Sequence, residues 1–95
     1  MPTYILLSNL TEAGAKTVSK KPKRIQEVNI ELEKAGVKVI AQYVTLGPYD
    51  FVNVVEADSN STIAAASLRL AARGSVKITT LAAVDMDEFI DSLAE

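Results

Sequence analysis

Residues 37–57 read VKVIAQYVTL, GPYD, FVNVVEA. Two runs rich in Val, Ile, Tyr and Phe flank a short turn that holds both Gly47 and Pro48, and this pattern predicts a β-hairpin. Upstream of it lies a helical stripe. Ile25, Val28, Leu32 and Ala35 recur at spacings of 3, 4 and 3 behind Pro22, a residue suited to a first helical turn because its missing N–H costs nothing there. Gly36 follows as a left-handed C-cap. Earlier still, residues 3–10 (TYILLSNL) read as a strand, and the polar stretch 11–21 with Gly14 reads as a turn plus a short helical piece. Downstream of the hairpin, Asp58 or Ser59 is placed to N-cap a helix whose buried stripe is Ile63, Ala66 and Leu70, with Leu68 and Ala71 beside it. Gly74 ends that helix, residues 76–84 read as a fourth strand, and Asp85 with Glu88 forms an acidic capping box for a terminal helix carrying Met86, Phe89, Ile90 and Leu93.

The order strand, helix, strand, tight turn, strand, helix, strand is the ferredoxin-like βαββαβ plan. The expectation is an α+β fold: one domain over residues 1–95, a four-stranded antiparallel sheet and a short C-terminal helix. Helices cover one face of such a sheet, and the other face should then read polar. Here the strands are apolar on both sides. Tyr4 and Leu6 oppose Ile5 and Leu7; Val39, Ala41 and Tyr43 oppose Ile40, Val44 and Leu46; Val52 and Val54 oppose Phe51 and Val55; Ile78 opposes Leu81. Two-sided apolarity implies two-sided burial, and a second copy of the chain is the simplest lid, which makes a homodimer or a higher multiple the expected assembly.

Composition narrows the function classes. With no Cys and no His, thiolate and imidazole metal sites are excluded, and any cation would need an all-oxygen site. The absence of His also removes the side chain that titrates near neutrality unaided. No catalytic constellation, metal site or cofactor motif is found. The longest apolar stretches are too short for a membrane span, no secretory leader is expected from the opening residues, and the absence of Cys fits the cytoplasm. Net charge is −2, and basic residues concentrate before residue 50: seven Lys or Arg there against three after it. No nucleic-acid partner is expected from this balance.

Two features remain as candidate sites. At the hairpin turn, Tyr49 and Asp50 are able to present a hydroxyl and a carboxylate; they serve equally well as turn residues, with Asp50 bonding the turn backbone. Lys16, Lys20, Lys21, Lys23 and Arg24 put five positive charges into nine residues ahead of the first predicted main helix. Cations there oppose the helix dipole, which points to a small anionic molecule as ligand; a solvated basic loop is the plainer alternative. Because the ends of the first and second strands share one end of the sheet in this topology, Tyr49, Asp50, Lys23 and Arg24 form the candidate ligand-binding set, with Asp50 near Arg24 as a paired site or a surface salt bridge. Asp50 and Glu56 lie roughly 20 Å apart along one strand, too far to act together. The acids Asp85, Asp87, Glu88 and Asp91 read as helix capping.

The segment Tyr43-Val44-Thr45-Leu46-Gly47-Pro48-Tyr49-Asp50 resembles the GYD domain family, named for a Gly-x-Tyr-Asp-like element in this position; in this chain Pro48 separates Gly47 from Tyr49-Asp50. Met1-Pro2-Thr3-Tyr4, Pro22-Lys23-Arg24, Val54-Val55-Glu56-Ala57, and the passage from Gly74-Ser75-Val76 to Thr80-Leu81 are similar as well. The resemblance spans nearly the whole chain. It implies a dimeric α+β barrel and implies no substrate. Function is thus expected to be that of a small-ligand-binding or regulatory module, the alternatives being a cofactor-free oxygenase or isomerase and a purely structural assembly protein.

Overall fold

The computed structural model describes residues 1–94. Its elements run β1 (Thr3–Leu10), α1 (Glu12–Lys20), α2 (Arg24–Lys34), β2 (Lys38–Val44), β3 (Phe51–Glu56), α3 (Asn60–Ala72), β4 (Val76–Ala83) and α4 (Met86–Leu93). The strands form one antiparallel sheet in the order β2-β3-β1-β4, so the fold is ferredoxin-like α+β. The polar stretch after β1 is a full nine-residue helix, N-capped by Thr11, whose side chain accepts from the Gly14 N–H. Ser59, not Asp58, caps α3, and Asp85 caps α4 by accepting from the Asp87 and Glu88 N–H groups. Gly36 and Gly74 terminate their helices at φ 87° and 78°, the left-handed region that favours glycine.

One side of the sheet holds the core. Tyr4, Leu6 and Val55 bury against Leu32 of α2 and against Ile63 and Ala66 of α3, with Val28, Ala35, Val39, Leu70 and Ile78 packed around them. Leu68 falls outside this stripe and is exposed. The β1–β3 and β1–β4 registers put Ile5, Leu7, Val52, Val54 and Leu81 together on the opposite side. Strand β2 departs from simple alternation. Val39 pairs with Val55 but Ala41 pairs with Val54, so Ile40 is an extra residue in a β-bulge. The bulge reverses parity: Val39 faces the core while Ala41 and Tyr43 face the open side, and the expected grouping of all three on one face is corrected accordingly.

Helix α4 stands clear of this body. Met86, Phe89, Ile90 and Leu93, spaced as one helical stripe, are each 49–67% exposed. The radius of gyration, 14.5 Å, reflects the projection; a compact chain of this length measures about 12 Å.

Candidate functional site

The hairpin turn is latched to the end of β1. Thr45 closes the loop, donating its N–H to the Asp50 carbonyl at 2.9 Å and its hydroxyl to the Tyr49 carbonyl at 2.6 Å. Asp50 donates its N–H to the Ser8 carbonyl at 2.9 Å, and its Oδ2 accepts from the Leu10 N–H at 2.8 Å. The topology therefore does bring the turn and the end of β1 together. Beyond the latch, Leu46 projects from the loop 99% exposed, next to an exposed Val44.

At the start of α2, Lys23 occupies the N-cap position and makes no side-chain capping bond. Arg24 is the first helical residue. Its guanidinium donates to Glu27 at 2.8 Å and lies 3.5 Å from Glu31, while Arg73 at the end of α3 reaches the same Glu31. The hydrogen bond to Glu27 holds the Arg24 pKa above its ordinary value against the opposing effect of desolvation, and the charge of Glu31 adds to it. The carboxylate partners of Arg24 are thus Glu27 and Glu31, and Asp50 serves the β1 backbone instead. The other three basic residues have a different setting from the one expected. Lys20 lies in the last turn of α1, with Lys21 as its C-cap, where positive charge complements the helix dipole, and Lys16 sits at the middle of the same helix. Lys16 also pairs with Glu12 at 3.4 Å. The dipole argument for an anion therefore rests on Lys23 and Arg24 alone.

Arg24 borders a cavity of about 110 Å³ between the sheet and helices α1–α3; Tyr49, Asp50 and Lys23 are outside its lining. Among the described residues, Asn53 Oδ1 is the buried side-chain polar atom without a hydrogen-bond partner, and Asn53 lines this cavity. Leaving such an atom unpaired costs about 1–3 kcal/mol. Nearby, Asn29 of α2 and Gln42 of β2 exchange two amide hydrogen bonds, at 2.9 and 3.2 Å, on the cavity wall. Neither Asn53 nor this pair stands out by motif. The available signal was Asn53 itself, a carboxamide between Val52 and Val54 at the core-facing parity of an inner strand. Among the described residues there is no group of three or more Asp or Glu able to hold a metal ion, and no helix long and apolar enough to cross a membrane.

A ferredoxin-like α+β domain with an apolar open sheet face and a projecting apolar helix defines a fold class and no particular chemistry. The GYD domain model matches residues 4–93, and the chain belongs to that family. A relative from Thermus thermophilus, named glutamine synthetase and cystathionine beta-lyase binding protein, is 58% identical over 94 residues, covering 98% of this chain and 99% of the relative.

Proposed function

We propose that this chain is a protein-binding regulatory module that acts as a homodimer in the cytoplasm and docks onto enzymes of amino-acid metabolism, with glutamine synthetase and cystathionine beta-lyase as its first candidate partners. The observation that carries this reading is the 58% identity, end to end, with a relative named for binding those two enzymes. Surface chemistry supports it. Val44 and Leu46 offer an exposed apolar tip, the kind of anchor around which binding energy concentrates. Tyr49 and Asp50 lie in the same turn. Arg24 shares a cavity lining with Leu10 and Phe51, the neighbours of the latch, and Lys23 precedes it in the chain, which supports counting both as polar contributors. In this proposal the four residues form the rim of a protein contact.

The test is co-elution. The purified chain is mixed with purified glutamine synthetase, and separately with cystathionine beta-lyase, from its own host. A complex with at least one enzyme at micromolar concentration, weakened by Leu46→Asp, supports the reading. Separate elution of all components at tens of micromolar overturns it.

A further inference from the structure

We propose that the space between the sheet and helices α1–α3 is a binding site for a small neutral molecule with an apolar body and one hydroxyl or carboxamide group. The site is separate from the exposed tip and stands whether or not the enzyme partners are the ones named above.

Volume is the first observation. Domain interiors are close-packed, yet here a space of about 110 Å³, partly open to solvent, is walled by Leu6, Val28, Leu32, Leu70 and Ile78. An apolar cavity of about 150 Å³ admits benzene. The present space is smaller but open on one side, so it suits an apolar body of about the size of benzene, seated partly in the opening.

The second observation is Asn53. This residue lines the cavity from an inner strand; its Oδ1 is turned into the protein without a partner, which leaves the amide nitrogen as the end able to face the space. A half-turn of the amide exchanges its oxygen and nitrogen, so either end can face the cavity. A ligand hydroxyl or carboxamide satisfies both orientations, because each group donates and accepts. Ordered water is the competing occupant, but it needs two to four polar partners, and most of this wall is apolar.

Charge is the third. The two arginines on the lining, Arg24 and Arg73, are both engaged by Glu31, and Arg24 also by Glu27. Cationic charge at the cavity edge is already neutralised, and an anion would have to displace a carboxylate. That selects a neutral ligand over the anionic one suggested by the basic segment.

Phenol and benzene are the probes, titrated into the full chain and followed by amide and methyl NMR. Saturable binding is expected, with shifts confined to cavity residues such as Leu6, Val28 and Ile78. Phenol should bind more tightly than benzene by about three- to tenfold, the worth of one hydrogen bond. Asn53→Leu, similar in size and without polar atoms, should erase that preference while benzene still binds. Should this variant not fold, Leu70→Phe fills the space from the opposite wall and should abolish binding of both probes. Equal affinities in the unsubstituted chain, shifts scattered over the surface, absence of binding by either probe, or phenol binding that survives in folded Leu70→Phe would each overturn the proposal.

Discussion

Gly14 of α1 lies directly against the backbone of Ser75, just before β4, with no room between them for a β-carbon. A Cβ built on Gly14 falls within 3.0 Å of both the carbonyl oxygen and the carbonyl carbon of Ser75. The same carbonyl accepts the Thr11 N–H at 3.0 Å, and the Thr11 hydroxyl donates to the Gly74 carbonyl at 2.6 Å. Helix α1 is therefore docked by its first turn onto the entry to β4, and it roofs the cavity from that side.

Gly14→Ala should be destabilising by about 1–3 kcal/mol, the usual cost of overpacking, even though Ala gains about 1 kcal/mol of helix propensity over Gly. The obstructing atoms belong to backbone, which cannot rotate away. Urea titration reads the sign. A stabilised variant, the normal result for Gly→Ala in an unstrained helix, would mean that α1 stands off β4.

Leu32 and Leu70 sit on the inner stripes of α2 and α3 but are not equivalent. Leu32 is 3% exposed, whereas Leu70 is only partly buried at the cavity wall. Leu32→Ala should cost about 2–5 kcal/mol, and Leu70→Ala about 1–2 kcal/mol, in keeping with its partial burial. Equal losses in denaturant titrations would show that the two helices bury these side chains alike.

Periodicity made the main elements legible. The 25, 28, 32, 35 stripe, the glycine caps at 36 and 74 and the 37–57 hairpin rest on local patterns, and all of them appear in the structure. The bulge at Ile40 did not show, because VKVIAQYV is apolar at both parities and gives no local mark of where alternation breaks. The role of the basic segment also depended on a boundary. Once residues 12–20 form their own helix, Lys16 and Lys20 move from the approach to one N-terminus into the middle and last turn of another helix. Asn53 and the Asn29–Gln42 pair come together only through tertiary packing, so spacing along the chain carries no trace of the cavity.

Asp50 should behave as a structural residue. Asp50→Ala removes the acceptor of the Leu10 N–H and should cost about 1.5–3 kcal/mol, the range for a hydrogen bond to a charged group. Asp50→Asn keeps an acceptor oxygen and should retain most of that stability. Lys23→Ala, at a position with no capping bond, should stay within about 0.5 kcal/mol. Thermal and urea unfolding of the three variants provide the comparison, and an Asp50→Ala change as small as that at Lys23 would remove the latch from the account.

Self-association is the expected outcome of two surfaces that the chain leaves uncovered. Ile5, Leu7, Tyr43, Val52, Val54 and Leu81 share the open side of the sheet, a contiguous apolar patch of the kind that marks an interaction site. Helix α4 has eight residues and an exposed apolar stripe. A helix that short is marginal in water without packing partners, however well capped. A second copy, sheet face to sheet face, covers the first surface, and the projecting α4 then has a neighbouring chain to lie on. Sedimentation of the 10.2-kDa chain at micromolar concentration should show a dimer or a multiple of it. Val54→Lys on the open face and Ile90→Glu on α4 should each shift the equilibrium towards monomer, while Ala64→Lys on the exposed side of α3 should not. Hydrogen exchange adds an independent reading, since α4 amides should lose protection on dilution together with the dimer. A wild-type monomer whose α4 amides are protected at every concentration would refute the sheet-to-sheet assembly.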